Sequence, residues 1–179
     1  MKRVAALVVL LLTGGIAVSA ADRIFTNPKP EGHFKQLFPN AVAFSSFGGT
    51  PPHYKAYGAD PAKNPNAPVV GYIFWTTDMV PQEHGYHGAI HILVGLNLNG
   101  TINGVVVDYD SEPYGYFSVD PAEFAAQFKG KSIFDKFIVG TDVDAESRAS
   151  LSVASATRAI RDSTRMVARA LLDPSAVKR

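Results

Sequence analysis

The 179 residues contain no cysteine. That excludes a disulfide, a thiolate-ligated iron–sulfur cluster and a thioether-attached haem, so any redox chemistry here needs another carrier. Strong charge of either sign is also missing: 17 basic residues face 16 acidic ones. Nothing in that balance points to nucleic acid. The longest apolar run, Val4–Val18, falls short of the roughly 20 residues that span a bilayer and is interrupted by Gly14-Gly15. There is no internal repeat, no low-complexity tract and no Gly-x-Ser-x-Gly nucleophile elbow.

The composition that remains, 46% hydrophobic and 18% charged, is that of one globular domain with a real core. Residues 1–20 read as a secretory signal: Lys2 and Arg3 precede the apolar run, and Val18-Ser19-Ala20 offers a small-residue cleavage site. Taking Lys2 and Arg3 from the 17 basic residues leaves 15 against 16 acidic, a net −1 for the processed chain. Residues 21–32, with two prolines and Gly32, read as a flexible lead, 33–173 as the domain, and 174–179 as a tail.

Phe34–Phe38 is expected to be a short helical turn, and Ala41–Phe47 a strand. Val69–Thr77 is dense in β-branched and aromatic residues and predicts a central strand. Ala89–Leu98 and Thr101–Tyr109 flank Asn99-Gly100, the favoured pair for a two-residue hairpin turn. Ile90, Ile92, Val94, Leu96 and Leu98 share one face, expected to be buried. Asp120-Pro121-Ala122-Glu123 has the form of an N-cap, a first-turn proline and a capping-box acid, opening a helix to about Lys129. Ile133–Val139 reads as another strand.

Val153, Ala156, Ile160, Val167 and Leu171 recur three or four apart with no interior Gly or Pro, which predicts a long C-terminal helix stopped by Pro174. Asp144, Ser147, Ser150 and Ser152 precede or open it. They read as ordinary caps or as the place where the unpaired N–H groups of a first helical turn receive a phosphate. Arg158, Arg161, Arg165 and Arg169 form a stripe on this helix, either solvated or turned to an acidic partner or anionic lipid. His84, His87 and His91 lack the spacing and the acidic partner of a metal site. The fold class expected is α+β, a largely antiparallel sheet with a long C-terminal helix in a single domain.

Several segments, in order, resemble one family. They are Leu37-Phe38-Pro39, Gly71-Tyr72-Ile73-Phe74, Gly85-Tyr86-His87-Gly88, Ile90–Leu96, Gly100–Gly104, Glu112-Pro113, Val143-Asp144-Ala145 and Ile160–Ser163. Together they are similar to the FMN-binding domain of exported redox proteins, as in the flavin-carrying subunits of Rnf- and Na⁺-pumping quinone reductase complexes, and most of all to the periplasmic domain of NosR-type membrane proteins. In that family a motif Asp-x-x-Ser/Thr-Gly-Ala-Thr carries FMN through a phosphoester on its last hydroxyl, installed by a flavin transferase. Its counterpart here is Asp144, Ala145, Glu146, Ser147, Arg148, Ala149 and Ser150.

The resemblance therefore implies FMN as cofactor, Ser150 as acceptor, and Tyr86, His87, Glu112, Pro113 and Tyr114 near the isoalloxazine ring. Arg148 stands where the family has glycine, Ser150 where it has threonine, and Ser111 where a histidine precedes Glu112-Pro113. Two functions follow as expectations. One is a periplasmic electron carrier, with flavin covalent or not, serving a membrane-bound redox complex. The other is a flavin-free structural or regulatory subunit of such a complex.

Overall fold

The structure is a computed structural model and describes residues 30–145 and 150–177. The signal and lead up to residue 29 lie outside it, as do Ser147, Arg148 and Ala149.

Five antiparallel strands form one sheet in chain order: β1 (Ala43–Phe44), β2 (Tyr54–Tyr57), β3 (Val69–Trp75), β4 (His91–Asn97) and β5 (Ile102–Tyr109). Between them and after them come α1 (Glu31–Leu37), α2 (Thr76–Met79), α3 (Gly115–Ser118), α4 (Ala122–Ala126) and the 22-residue α5 (Ser150–Leu171). This is the α+β fold with a long C-terminal helix that the sequence predicts.

Both faces of the sheet are covered. Ile92, Val94, Leu96 and Phe74 face Val153, Ala156, Ile160 and Val167 of α5, together with Phe124 and Phe128. Ile73, Trp75, Leu93 and Ala56 face Phe34, Leu37 and Phe38 from α1 and its end. The expected buried face of β4 is therefore real as far as Leu96, but Leu93 on the opposite face is also fully buried. Three glycines make the second face possible. A Cβ on Gly71 would lie 2.3 Å from the Phe38 ring and 2.7 Å from Leu96 O, and one on Gly95 would lie 3.0 Å from the same ring. A Cβ on Gly104 would lie 3.3 Å from the Leu37 side chain. Leu37 and Phe38 thus rest on a strip of bare backbone across β3, β4 and β5, and α1 is pinned at its other end by His33 Nε2 against Asp108 at 2.7 Å.

Several expectations are corrected. The helix expected at Phe34–Phe38 starts at Glu31, so the lead ends two residues early. The Ala41–Phe47 strand shrinks to two residues, and β2 and α2 carry no period strong enough to be read from sequence. The β4–β5 loop is Leu98-Asn99-Gly100, not a two-residue turn. Gly100 N donates to Asn97 O, Asn97 N donates to Thr101 O, and only Gly100 has positive φ, +78°. Leu98 is consequently 42% exposed. Ile133–Val139 is not a strand: Asp142 accepts N–H bonds from Phe137 (3.0 Å) and Ile138 (2.6 Å), which curls the chain and holds Phe137 at φ 54°. Asp120 does not cap α4; the N-cap is Pro121, with no side-chain bond. The tail is not wholly free, since Ala176 and Val177 pack on the core.

Candidate functional site

Glu112 is the node of the site. The chain leaves β5 and, at the turn into α3, buries the Glu112 carboxylate, 8% exposed. Tyr86 N donates to Oε2 and His87 N to Oε1, both at 2.8 Å, and Ser152 Oγ in the first turn of α5 donates to Oε2. Gly85 permits this approach, because a Cβ there would lie 2.5 Å from Oε1. The turn itself is closed by Gly85 N on Gly88 O at 2.7 Å. Burial alone would raise the Glu112 carboxyl, but the bonds from Ser152, His87, Tyr86 and Gly88 outweigh it and hold the group below its usual range. At neutral pH it is a carboxylate, and the Gly85–Gly88 turn, the β5 exit and the start of α5 are tied to one charge.

Beside this node lies a cleft of about 680 Å³ walled by Tyr116, Phe117 and Ser118 of α3, by Glu123, Phe124 and Gln127, and by Asp144-Ala145. Gln127 fixes the last wall: its Oε1 accepts from Asp144 N at 2.7 Å and its Nε2 donates to Asp144 O at 3.4 Å. Ser150 opens α5 only five residues past Ala145, a stretch of chain that spans at most about 18 Å. The hydroxyl-bearing start of the helix is therefore within reach of the cleft.

The predicted residues divide into three groups. Tyr86, His87 and Glu112 converge through the backbone contacts above, while the side chains of Tyr86, His87, Pro113 and Tyr114 are exposed around them. Asp144 lines the cleft and Ser150 is exposed at the mouth of α5. Ser147, Arg148 and Ala149 lie outside the described residues. The sequence does not single out Tyr116, Phe117, Phe124 or Gln127, because α3 and α4 are too short to show a period; Gly115 and Pro121 are the only local signals.

The three histidines do not converge: His84 Nε2 bonds Pro81 O, and buried His91 lies edge-on to Tyr109 at 5.8 Å. Among the described residues no cluster of three metal-ligating side chains occurs, and no helix is long and apolar enough to cross a membrane. Three arginines of the α5 stripe are engaged within the protein. Arg158 pairs with Glu83 at 3.0 Å, Arg161 with Asp162 at 2.7 Å, and Arg165 donates to Ile133 O (2.9 Å) and Asp135 O (2.7 Å).

The volume lies within the roughly 300–1,000 Å³ usual for small-molecule sites, and the aromatic residues Tyr116, Phe117 and Phe124 in its lining suit a planar heteroaromatic ligand. The 22-residue α5 presents the unpaired N–H groups of its first turn to an anion. Residues and cleft thus fit a phosphorylated ring system such as FMN.

No curated protein matches the chain. Residues 85–165 match the family model of the FMN-binding domain, a stretch running from the Gly85 turn through β4, β5, α3 and α4 into α5. It contains all of the Glu112 clamp and the whole of the cleft wall, and over these residues the chain is similar to the FMN-binding domain family.

Proposed function

We propose that the protein is an exported electron carrier whose FMN lies in the α3–α4 cleft, with its phosphate at the start of α5 and a phosphoester to Ser150. The observation that carries this reading is the contrast between two serines. Ser152 is buried and spends its hydroxyl on Glu112, whereas Ser150, two residues earlier, is exposed at the helix mouth and corresponds to the acceptor position of the family motif. FMN, when bound, supplies the transfer of electrons, which cysteine-free protein groups do not provide.

The chain's own residues hold and shield it. Tyr116, Phe117 and Phe124 bury ring surface, the N–H groups of the first turn of α5 hold the phosphate, and the Glu112 clamp fixes the helix start. Export follows from the signal-like segment 1–20, and the partner is a membrane-bound redox complex. With Arg158, Arg161 and Arg165 spent internally, that partner approaches through the exposed tyrosines beside the cleft, Tyr86, Tyr114 and Tyr116.

Co-production with a flavin transferase tests the reading. The purified chain is expected to be yellow, to keep its flavin through denaturation, and to exceed the mass of the bare processed polypeptide. A colourless protein of bare mass that also fails to bind free FMN sinks it.

A second reading, a flavin-free subunit, is favoured by one feature. The clamp of Tyr86, His87, Glu112 and Ser152 is satisfied entirely by protein groups. That colourless outcome, with co-purification of a membrane complex, is what this reading expects.

A further inference from the structure

Toward the C-terminal end of α5, Arg165 and Arg169 line a separate cavity of about 270 Å³ together with Ile133, Phe134 and Val177. It lies far from the flavin cleft, because Arg169 is about 29 Å along the helix axis from Ser150. These two arginines differ from the others of the stripe. Arg158 meets the carboxylate of Glu83 and Arg161 that of Asp162. Arg165 donates instead to two neutral carbonyls, from Nε to Ile133 O at 2.9 Å and from Nη2 to Asp135 O at 2.7 Å, and its guanidinium lies 5.9 Å from the centre of the Phe137 ring. The bonds fix the group without cancelling its charge. Two of the five N–H donors of an arginine are used, leaving three.

Arg169 is exposed, and among the described residues neither it nor Arg165 pairs with a carboxylate. The acids that flank the cavity in sequence are turned to backbone: Asp135 accepts from Ser132 N and Asp173 from Ser175 N, each at 2.8 Å. Like charges four residues apart on a helix repel. Burial, then the charges of Arg161 and Arg169, accordingly pull the Arg165 guanidinium below its ordinary range, against the opposing effect of Asp162. The negative end of the helix dipole accounts for Arg169 in the last turn, but not for Arg165, more than a turn further in.

We propose that this cavity binds an oxyanion carrying a short apolar group, with the charge bridging Arg165 and Arg169 and the apolar part on Ile133, Phe134 and Val177. A phosphate ester has this form, whether free in solution or as the head of an anionic phospholipid. The volume falls below the roughly 300 Å³ at which drug-sized sites begin, which suits a head group or a small ester. An anion relieves the repulsion between the two cations, and a guanidinium already held by Ile133 O and Asp135 O loses little freedom on binding. Past Val177 the sequence adds Lys178-Arg179, two further cations and no acid. The site stands whether or not the flavin reading holds.

The experiment titrates the full chain with butyl phosphate and with inorganic phosphate, followed by the NMR signals of Arg165 Nε–H and of the Phe134 and Val177 amides. Butyl phosphate is expected to saturate these signals and to bind about tenfold tighter than inorganic phosphate. Arg169→Gln is expected to weaken it about tenfold. Lys63→Gln removes the same charge from a side chain that is 86% exposed elsewhere, and is expected to change binding by less than about twofold. Arg169 is the residue to replace because it is exposed, whereas Arg165→Gln would also cut the tether to Ile133 and Asp135.

Sedimentation with phosphatidylglycerol vesicles distinguishes the sources. Sedimentation that Arg169→Gln abolishes, and that phosphatidylcholine vesicles do not support, assigns the site to a lipid head group. Sedimentation that is absent, or unchanged in Arg169→Gln, assigns it to a soluble ester. Butyl phosphate that fails to saturate, that binds no tighter than inorganic phosphate, or that responds equally to Lys63→Gln and Arg169→Gln overturns the proposal.

Discussion

Ser152 Oγ, in the first turn of α5, donates to the carboxylate of Glu112, 40 residues earlier in the chain. The bond fixes where the longest helix begins relative to the loop that leaves the sheet. Because Tyr86 N and His87 N share the same carboxylate, a third segment is locked to the pair.

Removing that carboxylate leaves the Tyr86 and His87 N–H groups and the Ser152 hydroxyl without their acceptor. Glu112→Ala is expected to cost about 3 kcal/mol in urea unfolding at pH 7, the range of a broken buried network. The sign of its pH dependence follows from the depressed carboxyl: its stabilisation is fully present above the unfolded value of 4.5 and is lost as pH falls through the lower folded value. Glu112→Gln should therefore flatten the acid limb of the stability curve. An unchanged acid limb in Glu112→Gln would show that other groups set it.

The two serines separate attachment from architecture. Ser150→Ala is expected to abolish any flavin adduct while shifting unfolding by less than about 1 kcal/mol, since the residue is exposed. Ser152→Ala is expected to keep the adduct and lose about 1–2 kcal/mol, the cost of a hydrogen bond to a buried charge. Peptide mass spectrometry across Ala149–Arg158 with parallel urea curves reads both, and an adduct that persists in Ser150→Ala refutes the assignment.

Gly71→Ala tests the glycine strip under Phe38. Its Cβ would meet the ring at 2.3 Å and the Leu96 carbonyl at 2.7 Å, so the sheet or α1 must move, at a cost of about 2–3 kcal/mol. Gly32→Ala, in α1 with nothing within 4 Å, is the control and should stabilise by about 0.5–1 kcal/mol. Comparable unfolding midpoints for the two variants would contradict the packing described.

The sequence by itself determined the elements whose residues repeat. The apolar period of α5, the dense β3 and the β4–β5 hairpin are visible because each buries a stripe or a face at a fixed spacing. The ordered glycines and the Glu112-Pro113 pair carried the family likeness for the same reason: a residue pressed by a neighbour's backbone or ring leaves little freedom of type. What has no period did not show, so the Phe137 turn reads as a strand and the short α3 and α4 read as a loop and an overlong helix. Only the tertiary structure decided which hydroxyl is exposed, which is buried, and which acid is a clamp. Ser150 and Ser152 are alike as letters, and what separates them is the Glu112 carboxylate that a distant part of the chain brings to Ser152.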